Sequence, residues 1–544
     1  MKIAQALPLL LLISSVTVLA NAQSPKPQHI IVVIQENRSP DNLFQDQNLI
    51  NNGADIWDVT KPFACKYSPY SVPVYAGPLK ACFDPNHAHH PSWVNTYDGG
   101  KMDGACGIYI NKPENCTPPS ATPAVTYVEN EVVTPGTYGL LDPYFQIAET
   151  YGFANYMFQT NQGPSFPAHQ FLFSGTSAPV YPGAYYDWFA AENPGQSYAQ
   201  VGCTAPSDET VLEIDPNGDP EELGYTPPYN GIGAGYPCYS HYSMADVLDN
   251  ANPPITWTYY APPSDASTGP GLWTAPDALS AICPFSPNGA CDSDVWNGHV
   301  VVSGTERSIL TDIQDCNLPA VSWVIPDGLW SDHAGSDAGD GGPSWVAAIV
   351  NAVGVSPTAC DSGYWSNTVI LIIWDDWGGF YDHVVPPDCQ TGTCTGYGGA
   401  NGGGAQYVYG FRVPLLVVSA YANQHYVSGA CGITGYPNCP NEQQPYIHDF
   451  GSILAYIEYV FGTGEINPSY HYADYYAPDG PNNPQCGQSC TPLADFFGST
   501  YYPFTQIQHA KYPPTCFTQD PNSSSCFGSG YPSDPDDDEI DLQD

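Results

Sequence analysis

The chain has 544 residues, of which 42% are hydrophobic and only 12% charged, with 55 Asp and Glu against 11 Lys and Arg for a formal charge of −44. That length and apolar content exclude a disordered chain and allow a sizeable buried core. A field of that sign argues against a nucleic-acid binder, which grips phosphates with basic patches, and against docking on anionic lipid.

The acidity comes from missing cations: acidic residues are about a tenth of the chain, whereas there are 8 Lys and 3 Arg. Such a chain carries little charge near pH 3–4, where its carboxylates protonate, so an acidic extracellular environment is expected.

In chain order, Met1-Lys2, the apolar run Ala6–Ala20 and the Ala20-Asn21-Ala22 motif predict a signal peptide over 1–22, hence a secreted or periplasmic protein. The run is short for a bilayer span and later apolar runs are strand-sized, so no transmembrane segment is expected and at most transient contact with a membrane surface. His29–Gln35 is a continuous β-branched run, as for a strand buried on both faces of a parallel sheet, and it leads straight into Glu36-Asn37. The segment Asp84–His90 holds His87, His89 and His90, but Pro91 breaks the match to an H-x-H-x-D-H zinc signature.

Further on, Gly163-Pro164-Ser165-Phe166-Pro167 reads as a stiff loop holding a serine in place, as a nucleophile requires. Pro167 rules out a G-x-S-x-G elbow, so activation by a metal is expected in place of a Ser-His-Asp triad. A helix is predicted over Ser243–Asn250 and a strand over Ile255–Tyr260; His333 follows Asp332, and a second helix is predicted over Pro343–Val353. Thr368–Trp374 is the second buried-type strand and ends in Asp375-Asp376, while His383 follows Asp382. Pro414–Ser419 is a further strand, and His448–Phe461 a helix with Phe450, Ile453, Leu454, Ile457 and Phe461 at helical spacing.

In α/β sheets, ligand groups sit beyond the carboxyl ends of strands. Consecutive carboxylates there repel one another and are costly to desolvate, and a bound cation relieves both penalties. Glu36, Asn37, Asp375 and Asp376 together offer three carboxylates and an amide oxygen, a set suited to one hard divalent metal ion.

Alternating strands and helices predict one α/β domain over 23–515, with Gly-, Pro- and Cys-rich insertions near 195–240, 385–408 and 421–446. Eighteen cysteines, several close in sequence as in Cys283/Cys291 and Cys516/Cys526, predict local disulfide staples. Residues 516–544 form a Cys- and Pro-containing acidic tail.

HIIVVIQENRSPDNLF resembles the opening motif of the bacterial phosphoesterase family that contains phosphatidylcholine-type phospholipases C and AcpA-like acid phosphatases. Four further blocks follow in the family's order: DPNHAHHPSWVNTYDGGKMDG from Asp84, GPSFPAHQFLFSGTS from Gly163, WDDWGGFYDHVVPP from Trp374 and GFRVPLLVVSAYA from Gly410. The resemblance implies an alkaline-phosphatase-like α/β fold, with a mostly parallel central sheet flanked by helices, and a metal-assisted phosphoester hydrolase. It implies Glu36, Asn37, Asp375 and Asp376 as metal ligands, Ser165 as the phosphoryl-accepting nucleophile, and His87 and His333 as groups contacting phosphate or serving the leaving group. His383 is a further candidate. Ala281 stands where the family often has histidine, so that contact is missing or supplied elsewhere, with His169 as the candidate.

Monoester dianions favour extra cationic contacts and only Arg38, Arg307 and Arg412 are present, whereas an aromatic, acidic mouth suits a choline head group. Phospholipase C-like cleavage of a small phosphoester or phospholipid head group is therefore favoured over acid phosphatase activity on monoesters. A non-catalytic secreted glycan-binding protein, using the 40 Tyr and 12 Trp, would leave the ordered motifs without a purpose.

Overall fold

A computed structural model describes residues 25–518 and 526, apart from 67–69, 134–135, 179–188, 195–199, 215–234, 263–270, 303–306, 336–338, 361, 388–407, 431–445 and 484–489. The expected signal peptide at 1–22, most of the acidic tail and much of the three insertions lie outside the described residues.

One eight-stranded sheet organises the chain. Its strands are β1 (His29–Gln35), β2 (Gly152–Ala154), β3 (Trp257–Ala261), β4 (Val300–Val302), β5 (Val321–Val324), β6 (Thr368–Trp374), β7 (Leu415–Ser419) and β8 (Tyr426–Ser428). Their spatial order is β4-β3-β5-β1-β6-β7-β2-β8. The two most apolar strands, β1 and β6, sit side by side at the centre, in parallel register from His29↔Thr368 to Gln35↔Trp374. Both are buried throughout, as their unbroken apolar runs require.

The sheet is mixed: five of its seven pairings are parallel, while β7 runs antiparallel to both β6 and β2. A run such as Leu415–Ser419 is apolar on both faces, and that pattern encodes burial without encoding direction. The edge strand β8 arises from within the segment expected as an insertion at 421–446.

Helices cover both faces. Val32 pairs with both Trp323 and Leu371, so Trp323 shares a face with Leu371 and points away from Trp374. On the Trp323 side lies α2 (Ser165–Ser174), whose Leu172 carbonyl accepts the Trp323 indole N–H at 3.1 Å. On the Trp374 side lies α1 (Asp142–Thr150), whose Tyr144 ring meets Trp374 edge-on at 5.2 Å. Helix α3 (Gly342–Gly354) packs on α1, and α4 (Phe450–Phe461) packs on α2. The α4 positions Phe450, Ile453, Leu454 and Ile457 are fully buried, Asp449 and Ser452 form a capping box at its start, and Gly462 ends it at φ +69°.

Six disulfides are described. Cys283–Cys291 and Cys516–Cys526 are local staples, whereas Cys65–Cys106, Cys82–Cys116, Cys203–Cys238 and Cys316–Cys360 close loops of 34 to 44 residues. Cross-links of this number belong to an oxidising compartment. Among the described residues no helix is long and apolar enough to cross a membrane.

Candidate active site

The register of the two central strands builds the site. Because Gln35 pairs with Trp374, Glu36 and Asp375 leave the sheet as neighbours, and the Asp375 N–H continues the ladder to the Gln35 carbonyl at 3.0 Å. Asn37 turns away at φ +58°, which brings its backbone N–H to Asp375 Oδ1 at 3.0 Å. Asp375 Oδ1 also accepts the Asp376 N–H at 2.6 Å, and Asp376 Oδ1 accepts from Gly378 at 2.6 Å.

Ser165 arrives from the other side as the first residue of α2. The sequence read this stretch as a stiff loop, but Pro167 falls in the first helical turn, where a missing N–H costs nothing. The Phe166 N–H donates to Asn193 Oδ1 at 3.0 Å, fixing the start of the helix. Ser165 Oγ then stands 3.3 Å from each of Glu36 Oε2, Asn37 Oδ1 and Asp376 Oδ2. Glu36, Ser165, Asp375 and Asp376 have no solvent exposure, and Asn37 has 1%.

Three carboxylates gathered at this depth around one hydroxyl and one amide suit a divalent cation in donor chemistry, and Glu36, His169 and Asp375 each offer a ligand atom within 4.8 Å of one another. Two of the chain's three guanidinium groups serve elsewhere. Arg38 donates to the carbonyls of Asp332 and Leu79 and to Asn42 Oδ1, and Arg412 binds Asp382 and Asp41.

His87 and His333 both converge on Asn37. His87 Nδ1 bonds the Pro85 carbonyl at 2.7 Å and His333 Nδ1 the Ala334 carbonyl at 2.5 Å, which aims both Nε2 atoms at the Asn37 amide. With its oxygen toward Ser165, the amide places its nitrogen 2.7 Å from His87 Nε2. Reversed, the nitrogen donates to Asp375 Oδ1 (3.1 Å) and Glu36 Oε2 (3.3 Å), and the oxygen accepts from His87 Nε2 (2.7 Å) and His333 Nε2 (2.8 Å). Without an ion the reversed orientation satisfies both amide atoms; a cation held among the carboxylates would favour the first, since it would attract the oxygen.

His169, one turn beyond Ser165 on α2, faces Glu36 Oε1 at 3.1 Å, and burial, opposed by Asp375, pulls its pKa down to about 4. His383 is placed in a different cluster: its Nδ1 meets Asp41 at 2.7 Å and its Nε2 meets Asp55 at 3.2 Å. Burial opposes its charge, yet Asp41 and Asp55 raise its pKa to about 10. Ala281 is solvent-exposed.

Sequence reasoning missed Asn193 and Asp332. The Asp332 carboxylate accepts from Tyr144 Oη (2.9 Å) and Trp374 Nε1 (3.0 Å), locking the end of β6 from beneath. Neither carries a sequence signal, because each acts through partners distant along the chain. A separate surface cavity of about 900 Å³ lies between Asn250–Thr256 and Phe461–Ser469, and none of the candidate catalytic residues lines it.

The phosphoesterase family model matches residues 27–464, most of the chain and every residue of this site. The chain belongs to the phosphoesterase family. It is 25% identical over 432 residues to phospholipase C B of Mycobacterium tuberculosis, covering 73% of this chain and 68% of that protein. It is 22% identical over 466 residues to the hemolytic phospholipase C of Pseudomonas aeruginosa, covering 81% of this chain and 54% of that protein. The non-hemolytic phospholipase C of the same organism is 26% identical over 327 residues, 57% of this chain and 37% of the relative. Family and relatives together make this phosphoesterase a hydrolase acting on phosphoric ester bonds.

Proposed function

We propose that this phosphoesterase is a secreted enzyme that cleaves phosphodiesters in the manner of a phospholipase C, with Ser165 as nucleophile, and that it works in an acidic environment. The observation that carries the proposal is the convergence of Ser165 Oγ on Glu36, Asn37 and Asp376 at 3.3 Å each. A single divalent cation held by Glu36, Asn37, Asp375 and Asp376 would supply the charge that stabilises the serine alkoxide and the phosphoryl oxygens.

In this reading Ser165 Oγ attacks phosphorus, and its proton has carboxylate acceptors in Glu36 and Asp376. The ester oxygen departs opposite, leaving a phosphoseryl group that water then cleaves. His87 and His333, beside Asn37, contact phosphoryl oxygens or serve the leaving group once protonated at Nε2, in place of the bond to the Asn37 amide; general acid catalysis contributes roughly 10²–10⁴-fold. The diester preference is supported by the commitment of Arg38 and Arg412 to structural partners, which removes them as contacts for a monoester dianion.

The test compares p-nitrophenylphosphorylcholine with p-nitrophenyl phosphate. The expected result is preference for the choline ester, loss on chelation that added divalent metal reverses, and a fall of about 10³-fold or more in Ser165→Ala. Preference for the monoester would make the enzyme an acid phosphatase, and full activity of Ser165→Ala would remove the serine mechanism.

A further inference from the structure

We propose that His169 is a positioning residue that holds the carboxylate of Glu36 in the orientation its metal-binding role needs; this rests on the ligand assignment above. The two oxygens of Glu36 have different neighbours. Oε2 faces Ser165 Oγ at 3.3 Å, whereas Oε1 faces His169 Nε2 at 3.1 Å. One oxygen is turned toward Ser165 and the other is held by His169.

The tautomer follows from what each ring nitrogen meets. His169 is 1% exposed, and its Nδ1 has no hydrogen-bond partner among the described residues. With the proton on Nε2, that nitrogen donates to Glu36 and only a lone pair is left in the interior. The opposite tautomer would bury an unmet N–H and set a lone pair against a carboxylate oxygen, a far costlier arrangement. The same Nε2 lies 3.8 Å from Asp375 Oδ2, so the donor stands between carboxylates that leave adjacent strands.

His169 and Ser165 are four residues apart on α2 and share a face of it. One rigid element therefore presents both the attacking hydroxyl and the clamp on the carboxylate beside it, which fixes their relative position as a loop could not. Outer groups that orient a metal ligand in this way typically account for about 10- to 100-fold in metal affinity.

The experiment titrates metal-stripped full-length protein with Mn²⁺, Zn²⁺ and Ca²⁺ by calorimetry. Gln places an amide nitrogen where His169 has Nε2, and Asn places one where it has Nδ1. His169→Gln is expected to stay within about threefold of the parent Kd, while His169→Asn and His169→Leu weaken binding by roughly 10- to 100-fold. If His169→Leu does not fold, the Gln and Asn variants decide the matter. Equal affinity in all variants, or Asn as effective as Gln, would overturn the proposal. Loss in Gln as deep as in Leu, confined to Zn²⁺ and Mn²⁺, would make His169 a direct ligand and would overturn it too. Glu36→Gln and Asp375→Asn are titrated in parallel: if they bind metal as tightly as the parent, the ligand assignment itself has failed.

Discussion

Asn37 sits at φ +58°, a conformation that asparagine tolerates better than most side chains, and Gly378 sits at φ +63° directly against it. A Cβ on Gly378 would come within 2.1 Å of the Asn37 carbonyl oxygen. The loops that follow β1 and β6 are thus packed backbone to backbone, and only glycine permits it. Gly378→Ala is expected to lower the free energy of unfolding by ~1–3 kcal/mol from the strained backbone alone, with catalysis reduced further by displacement of Asn37. Urea denaturation measures the first effect, and an unchanged midpoint would contradict this packing. At this scale the sequence was readable for the clustering of Glu36, Asn37, Asp375 and Asp376, because acids directly after a buried apolar strand are too costly to desolvate unless a cation or another partner compensates them. It was unreadable for the direction of His169, since the one-turn spacing from Ser165 has meaning only once α2 is known to be a helix.

Among the elements, β1, β6 and the helix α4 were legible from apolar runs and helical spacing, and β1 and β6 match their expected limits. The start of α2 was hidden by its prolines, and the short strands β2, β4 and β8 by their length. Three residues carry too little pattern to separate a strand from a loop. What joins the elements behind the site is also nonlocal. Arg412, just before β7, bonds both oxygens of Asp382, Asp41 Oδ1 at 3.1 Å, and the carbonyls of Asp55 (2.8 Å) and Asn155 (3.0 Å). It thereby ties the segments that follow β1, β2 and β6 to one another. Arg412→Leu would leave Asp41 and Asp382 buried without their guanidinium, so a loss of about 3–5 kcal/mol is expected in chemical denaturation. A loss below about 1 kcal/mol would show that these carboxylates are satisfied by other means.

For the whole molecule, buried titratable groups set the response to pH. Burial opposes charge on His448, but Asp495 and Asp479 raise its pKa to about 10, well above its ordinary 6.5. Its stabilising contribution is complete below about pH 6.5 and is lost as pH rises toward 10. Burial pushes Asp332 up to about 6 against the pull of Arg38, Tyr144 and Trp374. Between about pH 4 and 6 the folded chain therefore binds more protons at this group than the unfolded chain, and stability falls as pH rises through that window. Asp55 acts in the other direction. Despite its burial, His383 and Arg412 hold it at about 2, so its contribution is lost only as pH drops from about 4 toward 2. His169 and His241, pulled down to about 4 by burial, oppose Asp332 between about pH 4 and 6.5. The free energy of unfolding is therefore expected to fall below about pH 4 and again above about pH 6.5, as urea titrations across the acid and neutral range would show; a maximum near pH 8 would contradict the acidic working environment.

The scarcity of basic side chains also governs how the protein meets digestion. Proteases that cut after lysine or arginine find only 11 such residues in 544, and the guanidinium groups of Arg38 and Arg412 are both sealed in the interior. While folded, the enzyme keeps those two arginines from trypsin-like attackers and leaves them a handful of exposed lysines such as Lys61 and Lys101. Even once opened, it would fall into a few long fragments, several of them still joined by the cross-links between distant cysteines.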